Sequence, residues 1–333
     1  MICKEYQGDC MAEISNPIYF LIRKVTLLLC LISSISLAQN FPDKPLRVIV
    51  GPGPDSLARI TGEKITEDWG QAVVVDARPA AGGIIAGDTV AKSVPDGYTL
   101  LLSTGSFTIN SVLQPKMPYD FQNDLAPVSL LATLPFILVV NSSSPIKSLK
   151  DFIAASKTQP GKLNYASSGN GTPAHLAGEM LKQMAGIDIL HIPYKSAAAG
   201  VTDLLGGQVN CMFVPAPSAL PFIRSNQLRA IAVSSPKRYS VLPEIPTVAE
   251  EGYPNFAIVG WNGIHVPAKT PKSVIEKLNK EFVKVMHQKE VQAKAVAAGF
   301  EPLGSSIEEF AQFVKSDISR SSEVIKTGNI QPY

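Results

Sequence analysis

The stretch Tyr165-Ala166-Ser167-Ser168-Gly169-Asn170-Gly171-Thr172-Pro173-Ala174-His175 concentrates the residue types that could meet a small ligand. Leu163 to Ala166 reads as a strand leading into it. Leu176, Ala177, Met180, Leu181 and Met184 mark one face of a helix leading out. Pro173 stands near the first helical turn, where its missing N–H costs nothing. A loop of small residues at such a place exposes backbone N–H groups at a positive helix end, which suits an anion. Similar loops rich in Gly, Ser, Thr and Ala recur at expected helix starts, at 51–56, 81–83, 103–106 and 215–218. One alone is ordinary strand-to-helix turn chemistry. Several opening into one cleft would bind a small carboxylate through N–H and hydroxyl groups without an arginine.

Other chemistries are poorly served. Gly169-x-Gly171-x-x-Ala174 formally fits the dinucleotide fingerprint, but Asp188 falls at the start of a strand, whereas the ribose-binding acid belongs at its end. The four histidines, His175, His191, His265 and His287, have no zinc-type spacing, so no metal site and no cofactor are expected. No G-x-S-x-G elbow occurs, and a triad assembled from Asp55, Ser167 and His175 has nothing in its spacing to favour it. His175 is expected to pack or to bond nearby backbone, and His287 to sit at a helix C-terminal end. No catalytic residue is assigned. A net charge of +2, with no arginine-rich stripe, gives no argument for nucleic acid.

The elements that must position these loops can be read in order. A strand over 44–50 leads to a helix from Leu57, capped by Asp55 or Ser56. A strand over 72–76 leads to the 81–83 loop and a small-residue helix, and one over 98–102 opens into 103–106. Strand, loop and helix thus follow one another three times, as in an open, largely parallel α/β sheet. Strands are expected at 128–132 and 136–140. A second series follows: a helix from Leu149, strands at 187–191, 209–214 and 228–233, and helices between them. Thr247-Val248-Ala249-Glu250 reads as a capping box, 256–259 and 263–266 as strands, and Ser306 to Glu309 as another capping box before the last helix. The series appears twice, so the fold class is α/β with two open lobes, and 333 residues leave room for both cores. Crossovers near Val139 and Trp261 would make a two-strand hinge. The expected division is residues 39–138 plus 263–333 for the first lobe and 139–262 for the second.

Ahead of the lobes, Arg23-Lys24, the apolar run 25–32 and the small-x-small end Ser36-Leu37-Ala38 read as a secretory signal over residues 1–38, cleaved before Gln39. The unusual length ahead of Arg23 leaves a start at Met11 open. Of the four cysteines only Cys211 lies beyond that segment, and it reads as a small buried hydrophobe in a strand.

At these loops the chain resembles the Bug-type extracytoplasmic solute receptors, the binding components of tripartite tricarboxylate transporters. The resemblance is carried by Arg78 to Gly83, Ala91 to Leu101, Met117 to Asp120, Leu163 to Thr172, His191 to Lys195, Thr202 to Val209 and Leu242 to Glu250. It implies a periplasmic Venus-flytrap fold that closes on a small carboxylate, a monomer, and membrane transporter subunits or a sensor as partners. It implies no enzyme; a secreted hydrolase or a sensor without a transporter are the alternatives. Carried over by position, first-lobe contacts would come from Gly53, Asp55, Ser56, Ala81, Gly82, Ser103, Thr104 and Gly105, with Gly83 and Ser106 in the same loops. Second-lobe contacts would come from Thr133, Ser167, Ser168, Gly169, Gly171, Thr172 and Ala216. The family usually has a longer loop after the first strand than Gly51 to Asp55, so an altered first-lobe contact is expected there.

Overall fold

A computed structural model describes residues 41–328 and 330–332. The expected signal segment lies outside the described residues, as do Cys3, Cys10 and Cys30. From Pro42 onward the chain forms one compact unit.

The first series begins with β1 (Leu46–Val50), α1 (Ser56–Trp69), β2 (Val73–Ala77) and a 3-10 turn, Ala81–Gly83. It continues through α2 (Ile84–Ala91), β3 (Thr99–Thr104) and α3 (Gly105–Leu113). β1 lies between β2 and β3, parallel to both. Next comes β4 (Leu125–Asn141), the longest strand. The second series is α4 (Leu149–Thr158), β5 (Asn164–Ser167), α5 (Pro173–Ala185), β6 (Leu190–Pro193) and α6 (Ala197–Leu205). It ends with β7 (Cys211–Pro215), α7 (Ala216–Arg224) and β8 (Leu228–Val233). β9 (Val259–Pro267), α8 (Lys272–Met286), α9 (Lys289–Ala297), β10 (Glu301–Pro302) and α10 (Ile307–Thr327) complete the chain.

Two strands expected at 128–132 and 136–140 are one. β4 runs unbroken and exchanges partners part-way. Its Leu125–Pro135 half pairs antiparallel with β9, and its Phe136–Asn141 half pairs with β7 and β8. Pro127 and Pro135 do not end it. Register shifts take up the irregularity near Pro127, and Pro135 sits at the last pair with β9, where one missing donor costs least. The strands expected at 256–259 and 263–266 likewise reduce to one, β9; Phe256 lies before it, closing a turn by donating its N–H to Tyr253 O. The reciprocal bonds of the Thr247–Glu250 box are made, but they close turns, because Gly252 and Pro254 follow too soon for a helix. The Ser306–Glu309 box does start a helix, α10.

One core lies around Ile49, Leu101, Phe107, Phe121, Trp261 and Phe310. Two more cover the faces of the second sheet, around Phe152, Tyr165 and Phe213 and around Val139, Met212 and Val214. Cys211 is buried in β7, as its apolar neighbours predict, and burial pushes its thiol pKa up. α5 lies close on β5 because Gly178 has no side chain: a Cβ there would stand 2.1 Å from Tyr165 Cε2. Gly178→Ala should therefore lower stability by about 1–3 kcal/mol through overpacking. Urea unfolding of the purified variant measures it, and an unchanged midpoint would contradict this packing.

Candidate functional site

A cleft with about 400 Å³ of empty space, counting its open mouth, lies where the two halves of the sheet system meet. The walls are built from strand ends and the loops that follow them. β3 delivers Thr104 to the start of α3, followed by Gly105 and Ser106. Thr104 caps α3, its hydroxyl accepting the Ser106 N–H at 3.3 Å. The loop after β1 adds Pro52, Gly53 and Pro54. From the second series come Ser168, Pro173 and Pro215, and the crossing strands supply Leu134 and Phe136 of β4 and Gly260, Trp261 and Asn262 of β9. No charged side chain lines the cleft among the described residues.

The carried-over residues divide into lining residues and struts. Gly53, Thr104, Gly105 and Ser168 line the cleft together. Asp55 precedes α1 without a side-chain cap bond to it and is engaged by Arg59 at 2.6 Å; it and Ser56 stand outside the lining. The turn at Ala81 and Gly82 is held from behind. Asn110 Nδ2 donates to Gly82 O at 3.1 Å and to Ser106 O at 2.8 Å, and reaches Gly171 O at 3.3 Å in the second series. Thr172 caps α5 and donates its hydroxyl to Gly169 O at 2.7 Å, so that loop keeps its shape by internal bonds. Thr133 donates to Glu301 at 3.0 Å, away from the lining, and Ala216 is fully buried beside Pro215.

Two buried serines each meet a histidine, an arrangement that invites a nucleophile reading. Ser103 Oγ lies 2.7 Å from His265 Nδ1 and donates to Gly263 O at 2.9 Å. Ser167 Oγ lies 2.7 Å from His191 Nε2 and bonds Gly169 backbone through both its hydrogen and a lone pair. Neither serine has any exposed surface and neither lines the cleft, so both pairs brace strand ends. His191 stacks on His175 with ring centroids 4.2 Å apart, and His175 Nδ1 accepts the Gly171 N–H at 3.3 Å. Burial lowers the pKa of His175; burial and the neighbouring ring hold His191 at about 3, and burial alone holds His265 at about 3.

The cleft floor is Trp261. Its indole N–H donates to Asp317 Oδ2 at 2.9 Å, the Thr108 hydroxyl donates to the same oxygen at 2.6 Å, and Arg320 pairs with Asp317 Oδ1. The rings of Phe310 and Phe313 meet Trp261 edge-on. The sequence reading found Trp261 only as a crossover point. Leu134, Phe136, Gly260 and Asn262 went unassigned because they lie in strands, not loops. The usable signal is the partner exchange of β4 at Pro135 and Phe136, beside which Leu134 and Phe136 reach the cleft.

Two outcomes follow from this electrostatics. A histidine with a depressed folded-state pKa is neutral when folded and takes up its proton first in the unfolded chain. Its stabilising contribution is therefore complete above the unfolded pKa near 6.5 and is lost as pH falls towards 3. Unfolding free energy should drop by about 2 kcal/mol for each of His191 and His265 between pH 6.5 and 4.5. Denaturant unfolding across that range checks it, with His265→Phe flattening the slope. Separately, Asp317→Ala strands two buried donors and should cost about 2–3 kcal/mol while shifting the Trp261 emission.

The chain matches the family described as tripartite tricarboxylate transporter family receptor over residues 57–330. It is 36% identical to Protein BugT of Bordetella pertussis, over 87% of this chain and 90% of that one. Among solved structures it is similar to Rpa4515 of R. palustris with adipate, at a TM-score of 0.84 and 31% identity, covering 88% of this chain and 100% of that one. It is also similar to MatC from Rhodopseudomonas palustris with bound malate, at 0.80 and 28%, covering 86% and 100%. The architecture is the two-lobed α/β fold of periplasmic solute-binding proteins. The chain belongs to the receptor family of tripartite tricarboxylate transporters, a family of solute receptors and not of enzymes.

Proposed function

We propose that this protein is a periplasmic receptor that captures a small organic acid between its lobes and presents it to a transporter of the tripartite tricarboxylate type. The observation that carries this reading is the cleft at the start of α3. Thr104, Gly105 and Ser106 bring hydroxyl and N–H groups to a positive helix end, in a space with no acidic side chain to repel a carboxylate. Similar receptors hold adipate and malate, which supports the same class of ligand here.

In this reading the first lobe is residues 39–138 plus 263–333 and the second is 139–262, with β4 and β9 as the hinge. Ligand favours the closed state to the extent that it touches both lobes at once. Of the residues carried over from the family, Gly53, Thr104, Gly105 and Ser168 contact ligand directly. Asp55, Ser56, Ala81, Gly82, Ser103, Thr133, Ser167, Gly169, Gly171, Thr172 and Ala216 shape or support the cleft. The protein reaches the periplasm through a signal over residues 1–38 and works as a monomer. Among the described residues no helix is long and apolar enough to cross a membrane.

A ligand that binds only the folded protein stabilises it by about 2.7 kcal/mol at a hundredfold excess over Kd. A panel of organic acids should therefore include at least one that raises the melting temperature by several degrees. If none does at millimolar concentration, the receptor reading fails.

A further inference from the structure

The cleft is polar on one side only. Asn262 of β9 is the cross-strand partner of Thr104 in β3, so its amide stands beside the start of α3. Asn262 is 1% exposed and lines the cleft, and its Nδ2 makes no hydrogen bond to any described group. A buried amide donor without an acceptor is destabilising, and such groups in native proteins call for a ligand or another specific role. With the Thr104 hydroxyl and the Gly105 N–H, it adds a donor to the polar side of the cleft lining.

The rest of the lining offers no opposite charge to a second carboxylate. Pro173 is the first residue of α5, and Pro215 directly precedes α7. At both helix starts, the residue that reaches the cleft has no N–H. Pro52 and Pro54 remove two more donors from the loop after β1. Trp261 turns its N–H away to Asp317, leaving ring surface beside Leu134 and Phe136. Across from the donors the Ser168 hydroxyl is the one side-chain hydroxyl, and no cation lines the space among the described residues. A second carboxylate placed there would lose its water and meet only neutral partners, the Ser168 hydroxyl and the N–H groups of Gly53 and Ser168, with no cation to offset the loss, which is unfavourable. An apolar body would instead gain by leaving water.

We infer that the ligand is a monocarboxylate with an apolar body, aliphatic or aromatic, and not a di- or tricarboxylate, and that Asn262 is the side chain that reads its carboxylate. This rests on the receptor reading above and narrows it.

The test is calorimetric titration of the purified protein with phenylacetate and hexanoate, against adipate and malate. Either monocarboxylate should bind at least about tenfold tighter than both dicarboxylates. Asn262→Leu keeps the volume and removes the donor. It should weaken binding of the preferred monocarboxylate by about tenfold or more and raise the melting temperature of the ligand-free protein, because it removes an unpaired buried amide. A dicarboxylate that binds equally well or better overturns the inference and leaves the receptor reading standing. Binding by no carboxylate overturns both. Monocarboxylate binding unchanged in folded Asn262→Leu removes Asn262 from its assigned role. The ligand panel on the unaltered protein decides the substrate class even if that variant does not fold.

Discussion

The buried carboxylate of Asp317 is the constraint on which the cleft depends. It lies on α10, near the end of the chain, yet it fixes the floor of a site whose walls come from residues 52 to 262. A buried carboxylate is costly unless its oxygens are fully engaged. Here Trp261 and Thr108 donate to one oxygen and Arg320 pairs with the other. The bond to Trp261 orients the indole, and the bond to Thr108 ties α3 to the same anchor. α3 carries the polar donors and Trp261 carries the apolar floor, so one carboxylate sets the two chemically different sides of the cleft relative to each other. A ligand then meets a surface whose orientation is already determined, which lowers the ordering cost of binding.

Much of this was legible in the sequence, and what was not has a physical cause. Strand-to-helix turns are local: a few small residues after an apolar run suffice, and the loops at 51–56, 103–106 and 167–172 were found that way. The long strands were less legible. β4 reads as two because Pro127, Thr133 and Pro135 look like interruptions, whereas pairing on both edges carries the strand through them. Gly260 looks like a break in β9, but it is there because a Cβ would stand 2.9 Å from the Phe136 ring and 3.3 Å from Leu134 O, at the crossing of the two long strands. Propensity reports on neighbours in sequence, and these constraints come from neighbours in space.

The same distinction divides the site residues. Gly82 and Gly171 stand far apart in the chain, and both are held by the side-chain amide of Asn110. Their backbone geometry matters to the cleft although neither lines it. Ser103 and Ser167 are spent on His265 and His191, which burial keeps neutral, and on the backbone carbonyls of Gly263 and Gly169. Loops rich in small polar residues can thus be read as a site from sequence. Which of their hydroxyls face a ligand depends on bonds made across 160 residues, as between Ser103 and Gly263.

The absence of charge from the lining, among the described residues, fits capture followed by release. A buried arginine or lysine would hold a carboxylate strongly, but its own desolvation and its stranding after ligand loss would both be costly. Neutral donors at a helix end supply a smaller attraction that needs no counter-charge when ligand leaves. The loop after β1 takes part in this balance. It meets the cleft with Pro52, Gly53 and Pro54, of which only Gly53 carries an N–H. Gly53 leaves room there, since a Cβ at that position would still stand 3.7 Å from the Thr104 methyl. The loop thus brings mainly shape and apolar surface to a cleft whose polar groups gather at the start of α3.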